Sequence, residues 1–118
     1  MRDIKFLTKN EIDVEGSIEL LGDLEIYEET LQDFLDVSEE RMPLIEKYKN
    51  ENDMKNYEIQ VHSLKSDSKY LGFTKLAELA FIHQEKSKIM DSIYINTHYQ
   101  ELIEETKRII EIIKLYLQ

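Results

Sequence analysis

The chain has no cysteine, no tryptophan, one proline and three glycines in 118 residues. Without cysteine it cannot form disulfide bonds, thiolate metal sites or cysteine nucleophiles. Few glycines and prolines, beside abundant leucine, glutamate and lysine, favour helix over sheet, because unbranched side chains lose little rotamer freedom in a helix. A chain of this length buries one hydrophobic core, so we predict a single domain over residues 1–118.

No stretch of the sequence approaches the roughly 20 apolar residues that a helix needs to cross a bilayer, and the first residues lack the apolar segment of a signal peptide. We therefore expect a cytoplasmic protein. Because 25 acidic residues stand against 15 basic ones, the formal net charge is −10. This charge repels phosphate backbones and anionic lipid at long range, so neither nucleic acid nor membrane is expected as a partner.

Apolar residues recur every three or four positions, which is typical of amphipathic helices. Together with capping residues, the pattern predicts five helices. They are a short one from about Val14 to Gly22 and longer ones from Asp23 to about Asn50, from Asn52 or Asp53 to Gly72, from Phe73 or Thr74 until the pattern fades near Asp91 and Ser92, and from about Ile95 to Leu117. Pro43 is expected to kink or interrupt the second. Short connections make successive helices antiparallel, so the predicted fold is all-α, an up-down antiparallel four-helix bundle with an additional short N-terminal helix.

The third predicted helix carries a histidine just outside its apolar stripe. Val61 and Leu64 lie on the stripe, and His62 falls on its solvent-facing edge. An exposed imidazole is largely neutral near pH 7 and keeps one ring nitrogen free to attack an electrophile. His62 is therefore the candidate nucleophile of this chain.

Helical geometry gives His62 small and basic neighbours. At about 100° per residue, Asp67 points away from His62, whereas three residues share its face: Lys65, Ser66 and Lys69. A lysine one turn away supplies the positive charge that phosphoryl transfer needs beside the phosphate oxygens. Ser66 is small enough to leave room for an approaching partner. Gly72 suits a left-handed or tightly turned backbone that leads into the fourth helix.

The arrangement of His62, Lys65, a small residue at position 66 and Gly72 resembles that around the phosphorylated histidine of histidine phosphotransfer (HPt) domains. Residues 12–35 and 76–85 also resemble this family, so the likeness covers about residues 11–117. The family's commonest residue after the lysine is glycine, and Ser66 departs from it while remaining small. The resemblance implies a carrier of a two-component phosphorelay, in which His62 accepts a phosphoryl group from a receiver aspartate and passes it to another receiver.

The resemblance also implies the partners, which would be response-regulator receiver domains and a hybrid sensor histidine kinase. No cofactor is expected in this chain, because the Mg²⁺ of the reaction would belong to the receiver. The three glycines form no phosphate-binding loop, so we expect a stoichiometric phosphocarrier and not an enzyme. One phosphorylatable helix face needs no second copy, and a monomer is expected. The alternative is an interaction module, a helical bundle that binds a receiver or kinase without accepting phosphate.

The two remaining histidines are interpreted as structural. His83 falls on the apolar stripe of the fourth helix, where we expect a hydrogen-bonded residue in the core or at its boundary. His98 has no carboxylate or second histidine at a metal-ligand spacing, and we expect it at the surface. The chain also lacks the paired Glu-x-x-His motifs of helical metal-carboxylate proteins, so no metal site is expected.

Overall fold

The computed structural model describes residues 2–118 and contains six α-helices in that range. Two helices are short, α1 (Ile4–Lys9) and α2 (Val14–Leu21). Four are long: α3 (Leu24–Asn50), α4 (Met54–Leu71), α5 (Thr74–Lys88) and α6 (Ser92–Leu117). No strand occurs between residues 2 and 118, and the prediction of an all-α fold is confirmed.

Aspartates begin most of these helices. In five of the six, an aspartate at the N-cap accepts a hydrogen bond from a backbone N–H of the first turn, which satisfies a donor that the helix itself leaves unpaired: Asp3, Asp13, Asp23, Asp53 and Asp91. The cap at Asp91 starts α6 three residues before the predicted Ile95. Helix α1 was not predicted, because its six residues are too few to display an apolar period.

The four long helices close into a bundle. Helix α3 packs against α4 and α6, and α5 packs against the same two helices. Their apolar faces share one core with residues from both short helices; fully buried members are Leu7, Val14, Tyr27, Leu31, Tyr57, Leu64, Leu76, Ile95, Leu102 and Ile113. Burying one such side chain contributes about 1.5–3 kcal/mol relative to leaving it exposed, so this shared core holds the helices in place. The predicted four-helix bundle is confirmed.

Pro43 lies inside α3, which continues through it to Asn50. Of the two predicted effects, a kink or an interruption, the interruption does not occur. Proline removes one intrahelical hydrogen bond, and the carbonyl left without it belongs to Glu39, an exposed residue whose carbonyl water can reach. On the opposite side of the helix, Ser38 and Ile45 are buried against the bundle before and after the proline. Packing keeps the helix continuous where the local sequence favours a break.

Gly72 makes the turn between α4 and α5 in the left-handed region, with φ of 82°, as predicted. Its carbonyl accepts a hydrogen bond from the backbone N–H of Asp13 at 2.9 Å. A Cβ at this position would collide with the carbonyl oxygen of Asp13, the N-cap of α2. Glycine is therefore required twice, for the turn and for the close approach that fixes the start of α2 against this end of the bundle.

None of the helices between residues 2 and 118 combines the length and the apolar character that crossing a membrane would require.

Candidate functional site

His62 lies on the exposed face of α4. Its neighbours Val61 and Leu64 are fully buried, which confirms the predicted helical phase. The ring does not stand free, however, because its Nδ1 lies 3.1 Å from the side-chain Oε1 of Gln84 on α5. The imidazole is thus accessible to a partner and at the same time held in one orientation by the neighbouring helix.

The hydrogen bond that the His62 ring donates to Gln84 selects the tautomer of the ring. An amide oxygen only accepts hydrogen bonds, so Nδ1 of His62 must carry the proton and donate it. The other ring nitrogen, Nε2, then keeps its lone pair. Gln84 is 5% exposed, and its backbone is part of a packed helix, so the acceptor is well fixed. This arrangement presents a nucleophilic nitrogen toward solvent.

Lys65 lies one turn after His62 and is half-buried. Its Nζ lies 5.8 Å from the centroid of the Phe81 ring, which places the ammonium over that aromatic face. Phe81 is in turn one helical turn before Gln84 on α5. Lys65, the predicted neighbour of the histidine, therefore lies where α4 packs against α5. Gln84 and His62 meet at the same interface between the two helices.

The other residues of the predicted face are arranged as expected. Ser66 is half-buried and Lys69 is exposed. Asp67 faces α3, where the guanidinium of Arg41 donates a hydrogen bond to its carboxylate. Because this ion pair ties the carboxylate to another helix, Asp67 contributes little negative charge to the surface around His62. The prediction that Asp67 points away from the histidine is confirmed.

The other two histidines lack an exposed ring. His83 is 1% exposed, and its Nδ1 lies 2.8 Å from the hydroxyl of Tyr57. Burial lowers the pKa of His83 to about 4, so its ring is neutral at pH 7. This confirms its interpretation as a hydrogen-bonded core residue. His98 is half-buried and stacks on Tyr94 with ring centroids 4.1 Å apart, so the expectation of a plain surface residue was only partly correct.

Two residues of this site, Gln84 and Phe81, were missed by the sequence analysis. Neither belongs to a motif, and both lie more than 15 residues from His62 along the chain. A signal for Gln84 does exist: it directly follows the core residue His83, and a buried side-chain amide requires a hydrogen-bond partner. Naming that partner requires the register of α4 against α5, which the pattern of apolar residues does not give.

Comparison with known proteins identifies one family. A family model described as the Hpt domain matches residues 29–108, which is more than half of the chain. The matched range covers α3 from Glu29, all of α4 and α5, and α6 as far as Arg108, and it includes His62 and Gln84. It is shorter than the predicted likeness at both ends, since residues 11–28 and 109–117 lie outside it. No curated protein and no solved structure gave a significant match to this chain.

Proposed function

This chain belongs to the Hpt domain family, and we propose that His62 is its phosphoacceptor, taking a phosphoryl group from an aspartate of one receiver domain and passing it to an aspartate of another. Proteins of this family act in two-component phosphorelays as phosphocarriers. The observation that supports His62 most directly is its hydrogen bond to Gln84, which leaves Nε2 unprotonated on an exposed surface.

The proposed transfer requires few groups from this chain. The lone pair of Nε2 forms the N–P bond while the P–O bond to the receiver aspartate breaks, and the aspartate leaves as a carboxylate that needs no proton. The ring of His62 becomes cationic, and its Nδ1 proton stays on the nitrogen, hydrogen-bonded to Oε1 of Gln84. That acceptor stabilises the positive charge as it develops. Transfer to the second receiver is the reverse of these events.

Positive charge near His62 supports the same proposal. Lys65 on α4 and Lys69 one turn further bring two ammonium groups to the histidine face of a chain whose net charge is −10. The transferred phosphoryl group carries its charge on three oxygens, and nearby cations stabilise it in the transition state. Glu58, one turn before His62, opposes this effect in part. The divalent cation of the reaction is proposed to come with the receiver.

We propose that the small side chain of Ser66 gives a receiver domain access to His62. This residue lies one turn after His62 on α4, and it is half-buried with a short side chain. A receiver must bring its aspartyl phosphate within bonding distance of Nε2, so a bulky side chain here would hold the two surfaces apart. Gly72 is proposed to act indirectly, through the turn that ends α4.

The test is phosphoryl transfer from purified receiver domains labelled with radioactive acetyl phosphate. We expect wild-type protein to take up acid-labile label and His62→Gln to take up none, with the same helical circular dichroism and the same melting temperature, because His62 is exposed. His98→Gln is the matched control and should label normally. Binding of a receiver without any label on the wild-type protein would support the interaction module instead of the carrier.

A further inference from the structure

A groove of about 400 Å³ runs along the contact between α4 and α5, starting one turn from His62 and ending near the Gly72 turn. Its floor and walls are mostly apolar, and its charged members are Lys65, Lys69 and Glu78. At the end nearest His62 lies Phe81, whose side chain is 47% exposed. A side chain this exposed is only partly used by the core, and its ring is free to contact Lys65.

Phe81 and Gln84 lie one turn apart on α5, and each contacts one residue of α4. Because α4 and α5 are joined by a short turn, they run antiparallel, and Gln84 on α5 meets His62 on α4. Three residues later on α4 lies Lys65, and three residues earlier on α5 lies Phe81, which are again in contact. The histidine and the lysine of this face are therefore each held by one side chain of α5, in successive turns.

The kind of contact matters for the charge of Lys65. Among residues 2–118, no carboxylate forms an ion pair with this lysine. A carboxylate partner would neutralise the ammonium and compete with a phosphoryl group for its protons. An aromatic face attracts a cation while leaving its N–H groups free to bind oxygen atoms. The contact with Phe81 therefore restricts the position of the Lys65 ammonium group and leaves its N–H groups free to donate hydrogen bonds.

We propose that Phe81 is a positioning residue, which acts through Lys65 by holding its ammonium beside His62 for the arriving phosphoryl group. This inference rests on the proposed function of His62. A lysine side chain has four rotatable bonds and loses much conformational freedom when it is fixed. The ring of Phe81 limits that freedom before the phosphoryl group arrives, so less of it remains to be lost in the transition state.

The test uses phosphoramidate, a small phosphodonor that needs no docking surface. Nε2 of His62 attacks its phosphorus, the P–N bond breaks, and the protonated nitrogen leaves as ammonia. Initial labelling rates are measured for wild type, Lys65→Ala, Phe81→Leu, Phe81→Tyr and the double variant of Lys65→Ala with Phe81→Leu. Labelling is followed by mass spectrometry at neutral pH, and thermal melting checks that each variant is folded.

We expect Lys65→Ala to label about tenfold more slowly, which corresponds to ~1.4 kcal/mol. Phe81→Leu should label about two- to fivefold more slowly, because it keeps an apolar side chain but loses the aromatic face. Phe81→Tyr keeps that face and should label at the wild-type rate. In the Lys65→Ala background, Phe81→Leu should have no further effect, since the residue acts only through the lysine.

Three results would overturn the inference: Phe81→Leu labelling at the wild-type rate, Phe81→Leu labelling faster, or equal effects of Phe81→Leu with and without Lys65. Faster labelling would mean that the ring holds the ammonium away from the imidazole. A merely structural role of Phe81 would give equal effects in both backgrounds and a lower melting temperature. Failure of wild-type His62 to accept any label would instead contradict the proposed function, so the two failures are distinguishable.

Discussion

Removal of the Gln84 side chain should change the tautomer of His62. In the wild-type protein, the Nδ1–H of His62 donates to Oε1 of Gln84 across 3.1 Å. In Gln84→Ala, Nδ1 loses its acceptor on α5, so the protein no longer favours protonation of that nitrogen. We therefore expect the wild-type ring to be protonated at Nδ1, and the variant ring to become a mixture of both tautomers.

The size of this effect follows from the hydrogen bond. A buried or half-buried hydrogen bond contributes a net ~1 kcal/mol, which changes the ratio of the two tautomers about fivefold. If the variant populates both tautomers equally, the reactive fraction falls from about five sixths to about one half. Loss of the acceptor that stabilises the cationic ring should lower the rate of His62 phosphorylation further, so we expect a fall of about twofold or more. Gln84→Glu keeps an oxygen acceptor in the same place, and it should retain the wild-type tautomer.

Nitrogen-15 NMR of labelled imidazole at about pH 8 reports the tautomer directly. Gln60→Ala is the matched control, since this half-buried glutamine of α4 makes no hydrogen bond to His62. Melting curves separate the tautomer effect from any loss of packing around α5. A wild-type ring protonated mainly at Nε2, or an unchanged tautomer ratio in Gln84→Ala, would refute the assignment of Gln84.

Three further predictions concern other positions. Ser66→Leu should leave the melting temperature within a few degrees of wild type but slow transfer from a phosphorylated receiver, while phosphoramidate labelling of His62 stays unchanged; equal slowing in both assays would contradict a role in access. Gly72→Ala should lower the free energy of unfolding in urea by at least ~2 kcal/mol, because a left-handed backbone costs an alanine about 1–2 kcal/mol and its Cβ also meets the Asp13 carbonyl. The third concerns His83, whose pKa burial lowers from 6.5 to about 4, so the unfolded chain binds this proton at a higher pH than the folded one. Stability should therefore fall by up to ~3 kcal/mol as pH drops from about 6.5 toward 4, and unfolding of wild type compared with His83→Gln should show that this loss is smaller in the variant.

The sequence by itself determined most of the helices and the face that carries His62. Apolar residues at three- and four-residue spacing defined α3 and α4 to within two residues, because each buries one side against the bundle. The start of α5 was defined equally well, whereas its end at Lys88 comes three to four residues before the predicted one. The same spacing showed that His62 lies off the buried stripe and that Asp67 points elsewhere. Gly72 was identified as a turn residue because few other residues adopt a left-handed backbone without strain.

Only the tertiary structure decided which side chains of different helices meet. An amphipathic pattern fixes the rotation of a helix about its own axis, but not its displacement along a neighbour, and the contacts of His62 with Gln84 and of Lys65 with Phe81 depend on that displacement. Arg41 is a similar case, since this buried arginine pairs with Asp67 of another helix, a contact that the sequence alone did not predict. Pro43 stays within a helix because the packing of its buried neighbours outweighs the tendency of proline to end a helix. The sequence of one segment does not show how strongly that segment packs against the other helices.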